Sequence, residues 1–220
     1  MKRWQLYARG SPFALRMWLA SDKRTDGALQ GTCQESECQK FHRVDVMEHA
    51  QRILVAGASG AGKSTLAAGI SAKLGIPYTE IDSLFHGPNW EPREDFLRDV
   101  AAIAEGETWV SEWQYVDALA ILAGRATTMV WLDYRWPLQI SRVIRRTVRR
   151  RLTRQELWNG NREGPLRTVF TDDEHVVRWA WQTRHNLRDL PERMTEEYPQ
   201  LALVRLRSPR DARRWVSELD

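Results

Sequence analysis

Hydrophobic and polar positions follow two alternating patterns along most of the chain. Short apolar runs lie at 52–56, 77–81, 108–112, 127–132 and 201–206, and their length is typical of buried strands. Segments with helical spacing separate them, at 63–74, 93–104, 116–124, 137–153, 172–197 and 209–219. Strands that alternate with helices predict an α/β fold, in which a five-stranded parallel sheet is covered by helices on both faces.

A glycine-rich segment joins the first predicted strand to the first predicted helix. Its sequence, GASGAGKST at 57–65, fits the phosphate-loop pattern G-x-x-x-x-G-K-[ST]. Glycine lets backbone N–H groups approach phosphates closely, Lys63 adds a positive charge, and the Ser64 hydroxyl can bind Mg²⁺. We predict ATP binding by Gly57, Ala58, Ser59, Gly60, Ala61, Gly62, Lys63, Ser64 and Thr65. The alternative, a glycine-rich turn with an incidental lysine, leaves the flanking strand and helix unexplained.

Composition indicates one domain of ordinary size. The chain has 220 residues, of which 42% are hydrophobic, and no apolar run is long enough to span a membrane. The net charge is +4, and the arginines are clustered, so an anionic partner is expected. The two cysteines, Cys33 and Cys38, lie near the N-terminus. The rest of the chain therefore has no disulfide framework, and we expect a reducing, cytoplasmic setting without membrane contact.

The first 46 residues differ from the rest of the chain. They mix glycine, serine, glutamine and charged residues, and they have no sustained periodicity. We expect a mostly disordered extension over 1–46, followed by the phosphate-loop domain over 47–220. An alternative is that translation starts at Met47.

Two acidic residues follow strands of the predicted sheet. Ligands of open parallel sheets bind at the carboxyl ends of the strands, where Asp82 and Glu112 fall. Phosphoryl transfer needs a carboxylate near the metal and a residue that orients the acceptor. We therefore expect Glu112 to hold Mg²⁺ with Ser64, and Asp82 to contact the acceptor. Either side chain could instead cap the following helix.

Arginines dominate the segment 140–154. At helical spacing, the apolar face contains Ile140, Val143, Ile144, Thr147, Val148 and Leu152, and the opposite face contains Arg142, Arg145, Arg146 and Arg149. A solvated basic face explains most of these arginines. Arg151 falls within the apolar face, where an unpaired charge is costly, so it should point at a phosphate or a carboxylate.

The polar turn after this helix adds further candidates. Asn159, Asn161 and Arg162 are donors on a connection of the kind that closes over a nucleotide. We predict that the arginines that neutralise the transferring phosphoryl group are Arg146, Arg150, Arg151 and Arg162.

The segment 51–219 resembles the adenylate-kinase-like P-loop proteins and, among them, the small bacterial family called DNA topology modulation proteins. The matching stretches are GASGAGKST, IDSLFHGPNW, WVSEWQY, MVWLD, RRTVRRRLTRQELWNGNRE and LRSPRDARRWV. The resemblance implies a three-layer P-loop NTPase fold with a five-stranded sheet and a helical, arginine-rich lid, here at about 140–185. Nucleoside monophosphate kinases usually carry Asp-Gly where this chain has Glu112-Trp113, so Trp113 is expected to reshape the acceptor site.

These features predict an ATP-dependent, Mg²⁺-assisted kinase of the nucleoside monophosphate or small-molecule type, with the acceptor left open. The alternative is a nucleotide-regulated ATPase that binds nucleic acid through the arginine-rich helix. Only the second function predicts DNA binding that falls steeply with salt, because several phosphate contacts would release counterions.

Overall fold

The computed structural model describes residues 51–164, 177, 180, 181, 187 and 189–219. The predicted extension over 1–46 lies outside these residues, as do half of the predicted helix over 172–197 and part of the predicted lid. The described part of that helix contains an ordered segment at Leu190–Glu197.

Strands and helices alternate along the described chain, as the hydrophobic pattern predicts. The strands are β1 (Arg52–Gly57), β2 (Trp109–Glu112), β3 (Thr128–Leu132) and β4 (Ala202–Leu206). The helices are α1 (Lys63–Leu74), α2 (Ile81–Phe85), α3 (Phe96–Ala104), α4 (Val116–Ala123), α5 (Trp136–Leu152), α6 (Leu190–Glu197) and α7 (Pro209–Ser217). Two short 3-10 turns lie at Pro88–Trp90 and Trp158–Gly160.

The sheet of the described chain is parallel and has four strands in the order β2-β1-β3-β4. The prediction of a fifth strand at 77–81 is wrong. Tyr78 forms a single parallel bridge to Val110, supported by hydrogen bonds from Val110 N–H to Pro77 O (2.8 Å) and from Thr79 N–H to Val110 O (3.1 Å). Pro77 has no N–H to donate, and the chain turns into α2 at Ile81, so the pairing ends there.

Both faces of the sheet are buried against helices. Leu54, Met129 and Trp131 pack on one face with residues of α2, α3, α4 and α6, whereas Val55 and Val130 pack on the other with α1 and α7. Burial on both faces explains why the strands read as continuous apolar runs. The carboxyl ends of β1 and β2 therefore lie side by side, with Val55 in register with Glu112.

No helix in the described part of the chain has the length and apolar character needed to cross a lipid bilayer.

Candidate active site

The phosphate loop lies between β1 and α1 and leaves its backbone open toward the end of the sheet. Gly60 and Gly62 have φ angles of 80° and 100°, which favour glycine. A Cβ at Gly60 would lie 2.2 Å from the carbonyl oxygen of Gln139 and 2.7 Å from Cγ2 of Val143, so α5 passes directly over this glycine. Close packing therefore adds a second requirement for glycine to the one made by phosphate binding.

Lys63, Ser64 and Glu112 meet at the base of the loop. Lys63 Nζ donates to the carbonyl oxygen of Gly57 at 3.0 Å, and Ser64 Oγ donates to Glu112 Oε1 at 2.6 Å. Glu112 is only 2% exposed, and its Oε2 accepts the N–H of Ile81 at 3.3 Å. Glu112 thus contacts the first helix and also accepts from the first residue of α2, whereas α4, the helix that follows it in the chain, has no side-chain cap.

Burial changes the acidity of both charged groups. Burial raises the pKa of Glu112, although the Ser64 hydrogen bond and the charge of Lys63 oppose that shift. Burial likewise lowers the pKa of Lys63, while Glu112 and Asp82 oppose it. The two groups stabilise each other in their charged forms, as expected where phosphate and metal charges are to be bound.

The donor set at the loop suits Mg²⁺. A serine hydroxyl and a carboxylate are oxygen ligands, and Mg²⁺ in nucleotide sites commonly keeps several waters and phosphate oxygens as its other ligands. In the described residues, no group of three or more acidic, histidine or cysteine side chains is placed to hold a metal ion. Of the nine loop residues predicted to bind nucleotide, Thr65 is exposed.

Asp82 lies in the first turn of α2 and faces the end of β2. Its Oδ1 accepts hydrogen bonds from Gln114 Nε2 and from the Tyr115 hydroxyl, both at 2.6 Å. The Tyr115 hydroxyl also lies 3.1 Å from His86 Nε2. Asp82 is therefore held by side chains from β2's carboxyl end rather than used as a helix cap, and its charge acts on Lys63 and Glu112.

The residues after Glu112 divide between core and site. Trp113 is 7% exposed and belongs to the core cluster that also contains Phe85, with Tyr115 packed against it. Its expected effect on the acceptor site therefore stays a prediction. Gln114 and Tyr115 are the residues after Glu112 that contact Asp82. Tyr115 has φ 63° and ψ 109°, an uncommon conformation for a residue with a side chain. Sequence reasoning missed both residues, although their place directly after a strand at the ligand edge was an available signal.

Helix α5 directs arginines at the loop. Arg142 Nη1 donates to the carbonyl oxygen of Ala61 at 3.1 Å, and burial lowers the pKa of Arg146, with Arg150 adding to the effect and Glu163 opposing it. The predicted division of this helix is right for Val143 and Thr147, which are buried, and for Arg145 and Arg149, which are exposed. It is wrong for Ile144 and Leu152, which are exposed, and for Arg142 and Arg146, which are partly buried. The inner face of α5 carries both apolar and basic side chains, because it packs against the rest of the protein and also contacts the phosphate loop.

The other predicted arginines lie farther out. Arg150 pairs with Glu163 at 3.5 Å, and these two side chains are 17% and 15% exposed. Arg151 is exposed and donates to the carbonyl oxygen of Glu163 at 3.3 Å, so its expected place within the apolar face is wrong. Arg162 is exposed and lies 3.7 Å from Glu156. The structure thus brings Arg146 to the loop, but it holds Arg151 and Arg162 at the surface.

Two turns from distant parts of the chain pack together beside Asp82. We call residues 86–93 the Trp90 turn and residues 155–163 the Trp158 turn. The Asn161 side chain is 5% exposed; it accepts the Trp90 N–H at 3.0 Å and donates to the carbonyl oxygens of Gly87 (2.8 Å) and Trp158 (2.9 Å). Asn159 Nδ2 donates to the carbonyl oxygen of His86. These contacts fix one turn on the other.

Aromatic side chains line the place where the turns meet. The rings of His86 and Trp158 stack at 5.8 Å, and Trp90 stands nearly perpendicular to both. Trp158 Nε1 donates to Glu80 Oε2 at 2.8 Å, and the guanidinium of Arg150 lies 5.9 Å from the Trp158 ring centroid. The acceptor side of the site therefore combines carboxylates with aromatic faces.

No protein-family profile matches the chain, and a comparison with curated proteins finds no match. The resemblance to the DNA topology modulation family therefore stays a prediction.

Comparison with solved structures finds kinases. A shikimate kinase from Bacteroides thetaiotaomicron is 17% identical, with a TM-score of 0.46 over 77% of this chain and 96% of that one. A gluconokinase from Sinorhizobium meliloti 1021 is 19% identical, with a TM-score of 0.44 over 78% and 94%. A sugar kinase from Janibacter sp. HTCC2649 is 17% identical, with a TM-score of 0.39 over 76% and 91%. Similarity at this level does not transfer an activity to this chain.

Proposed function

We propose that this chain is an ATP-dependent phosphotransferase of the small-molecule or nucleotide kinase type. The observation that carries the proposal is the meeting of Lys63, the Ser64–Glu112 pair and Asp82 at one end of the sheet. A phosphate loop alone would account for nucleotide binding. A second carboxylate facing the same point, held in position by two hydrogen bonds, supports transfer to an acceptor.

The donor nucleotide would bind with its phosphates over the glycine-rich loop. Backbone N–H groups of the loop and the start of α1 favour negative charge at this point. Lys63 Nζ would exchange its hydrogen bond to Gly57 for the β and γ phosphates, which are stronger acceptors than a carbonyl. Mg²⁺ bound by Ser64 and Glu112 would neutralise charge on the same phosphates.

Transfer would take place between the loop and Asp82. The acceptor oxygen forms a bond to the γ-phosphorus, the bond from that phosphorus to the β–γ bridging oxygen breaks, and ADP leaves with the electron pair. Asp82 would orient the acceptor and take the proton if the acceptor oxygen is a hydroxyl. Arg146 would stabilise the charge of the transferring group. Arg150, Arg151 and Arg162 could join it if the region 140–185 closes as a lid.

The test of this proposal is a pair of lysine variants in the full chain. We expect Lys63→Ala to lower ATP turnover by at least about 100-fold, the scale seen when one charge-stabilising group is removed. Lys73→Ala changes an exposed lysine at the end of the same helix and should leave turnover unchanged. ADP release is the measurement. Wild-type turnover by the Lys63 variant would overturn the proposal.

The nucleic-acid alternative has lost its main support. It required Arg142, Arg145, Arg146 and Arg149 to share one solvent-facing surface. Arg142 bonds to the phosphate loop and Arg146 is largely buried, so the surface proposed to grip a nucleic-acid backbone is not continuous.

A further inference from the structure

We infer that the phosphoryl acceptor is a hydroxyl-bearing ring compound without negative charge, and not an anion such as a nucleoside monophosphate or a sugar acid. This inference rests on the proposed kinase function and specifies the chemistry of its acceptor. It follows from the balance of charges around Asp82, from the aromatic side chains beside it, and from the way in which those side chains are fixed.

The carboxylates on the acceptor side are matched with neutral donors. Asp82 accepts from the amide of Gln114 and the phenol of Tyr115, and Glu80 accepts from the indole of Trp158. Neither carboxylate forms an ion pair with a described residue. Both hydrogen bonds to Asp82 fall on Oδ1, which leaves Oδ2 as the oxygen that can accept from a substrate hydroxyl. A carboxylate with neutral partners favours a hydroxyl or a cation and repels an anion.

Among the described residues, three cations near the site have other partners. Lys63 and Arg142 bond to the phosphate loop, and Arg150 pairs with Glu163. Arg146 differs, because its buried Nε has no hydrogen-bond partner in the described chain. The charges of Asp82, Glu80 and Arg150 act on Arg146, and Arg146 acts on Lys63, which places it between the loop and the acceptor side. In the proposed function Arg146 binds the transferring phosphoryl group and not a second anion on the acceptor.

His86 does not supply the missing positive charge. Burial lowers the pKa of its imidazole, and the nearby charge of Asp82 only partly opposes that shift. The imidazole is therefore neutral at neutral pH, where kinases of this type would work. Nucleotide-binding and sugar-acid sites need a cation for the acceptor anion, since burying an unpaired charge is costly.

The aromatic side chains give the acceptor side flat, apolar faces. Phe85 stacks on Tyr115 at 4.0 Å, His86 stacks on Trp158 at 5.8 Å, and Trp90 stands across the latter pair. The Tyr115 hydroxyl lies between Asp82 and His86, so this aromatic group adjoins the carboxylate. Aromatic faces bind other rings by stacking and the C–H faces of sugars by dispersion.

The aromatic group is held in position by the two docked turns. Asn161 joins the Trp158 turn to the Trp90 turn through two hydrogen bonds, forms a third within its own turn, and is almost fully buried. A buried amide with all these partners gives a defined geometry, because leaving any of them unpaired would cost free energy. Trp158 therefore has a fixed position at one side of the acceptor site, where its ring determines specificity.

Matched acceptors test the inference in the full chain with Mg²⁺ and ATP. Adenosine is compared with AMP, and glucose and glucosamine are compared with gluconate, by ADP release above the rate without acceptor. We expect the rate of ADP release with a non-anionic acceptor to be at least about tenfold higher than with its anionic counterpart, because like charges in contact at a binding site weaken binding by at least this factor. The adenosine and sugar arms distinguish a nucleoside from a sugar as the source of the hydroxylated ring.

Two tryptophan variants place the effect at Trp158. With the responding acceptor, Trp158→Leu should raise KM for the acceptor about tenfold, the loss of one stacking contact, and leave KM for ATP unchanged. Trp181→Leu removes an exposed indole that packs on Trp136 and should change neither constant.

Three outcomes would overturn the inference. One is higher ADP release with AMP or gluconate than with their uncharged partners. The second is an unchanged acceptor KM in Trp158→Leu. The third is no response to any acceptor while Lys63-dependent ATP binding, measured calorimetrically, is intact. Loss of ATP binding in the wild-type chain would instead contradict the proposed function, so the two failures are distinguishable.

Discussion

The donor side and the acceptor side of the candidate site are built in different ways. The donor side is built around the backbone of one continuous segment, the loop at 57–65, to which Glu112 and Arg142 are added from β2 and α5. The acceptor side is Asp82 with Tyr115, His86 and Trp158, which come from three segments and meet through side-chain hydrogen bonds and ring contacts. The central part of the donor side is therefore specified by a local motif, whereas no part of the chain specifies the acceptor side by itself.

This difference predicts different responses to mutation. A phosphate site made of backbone groups loses its geometry when a side chain is added within it. Even a small side chain has this effect, because only glycine readily adopts the required φ angles and leaves room for the close approaches. A network of side chains loses its contacts one at a time, with each loss costing about 0.5–1.5 kcal/mol. We therefore expect large, abrupt effects on the donor side and graded effects on the acceptor side.

The largest effect is expected from Gly60→Ala. The added Cβ would meet the carbonyl oxygen of Gln139 at 2.2 Å, and the φ of 80° is strained for alanine, so we expect a loss of about 3 kcal/mol in unfolding free energy. ATP binding should be abolished, because α5 can relieve the clash only by moving away from the loop. Denaturant unfolding and calorimetric ATP titration measure the two effects.

Gly69→Ala is the matched control for that change. Gly69 lies within α1, and nothing lies within 4 Å of the Cβ that alanine would add. Alanine is favoured over glycine in helices by about 0.5–1 kcal/mol, so this variant should be slightly more stable and bind ATP normally. Equal ATP affinity in the two variants would show that the donor side does not depend on the packing of α5.

The second prediction concerns the pH dependence of Mg²⁺ binding. Burial raises the pKa of Glu112 above its usual 4.5, so at low pH the carboxyl holds a proton that Mg²⁺ must displace. The increase in Tm produced by Mg²⁺ with ATP should be complete above the raised pKa and lost as pH falls through it. Thermal unfolding across pH, with and without Mg²⁺, measures this dependence.

Glu112→Gln should remove that pH dependence and lower turnover by about 100-fold, as expected for the loss of a charge that stabilises the transferring phosphates. The amide oxygen can still accept the Ile81 N–H, and the amide NH2 can donate to Ser64 Oγ once that hydroxyl turns, so the fold should be retained. Glu107→Gln changes an exposed acid in the turn before β2 and serves as the control. If the increase in Tm produced by Mg²⁺ with ATP were the same in Glu112→Gln as in the wild-type chain, Glu112 would not be a Mg²⁺ ligand.

The same contrast explains what the sequence could predict. The predicted helix at 63–74 has the bounds of α1, and Glu112 ends the strand beside β1, because local patterns and strand order determine both. Burial of Trp113 in the core could not be read from the motif comparison, because that comparison gives the position of a residue and not the direction of its side chain.

Asp82, Asn159 and Asn161 were named from the sequence, but the contacts that bring the acceptor side together were missed for a physical reason. Trp158 and Glu80 are 78 positions apart in the chain, and Asn161 and Gly87 are 74 apart. No local periodicity encodes such contacts. The arginines of α5 illustrate the same limit, because hydrophobicity assigned Arg142 and Arg146 to the solvent face, whereas a polar loop was the surface they had to meet.

The third prediction tests whether the two turns stabilise the acceptor side. Asn161→Ala removes three hydrogen bonds and leaves the Trp90 N–H and two carbonyl oxygens without their partner, which should cost about 1–3 kcal/mol of unfolding free energy. Asn161→Asp keeps the acceptor for Trp90 but loses both donors, so its loss should be intermediate. ATP affinity should stay unchanged in both variants. If either variant lost ATP affinity along with stability, the donor side and the acceptor side would not be independent.

The smallest effect is expected at Tyr115, where one hydrogen bond to Asp82 can be removed without changing the packing. Burial and the charge of Asp82 raise the pKa of the Tyr115 phenol, so the hydroxyl keeps its proton and donates throughout the working pH range. Tyr115→Phe retains the stack on Phe85 and loses the hydroxyl, which removes the bond to Asp82 and the 3.1 Å contact with His86 Nε2. Loss of the bond to Asp82 should lower kcat/KM for the acceptor about tenfold, or about 1.4 kcal/mol. Gln114 would continue to hold Asp82, so the loss should be partial. A Tyr115→Phe variant as inactive as Lys63→Ala would contradict the graded response, because it would mean that the acceptor side depends on a single contact, as the donor side depends on its glycines.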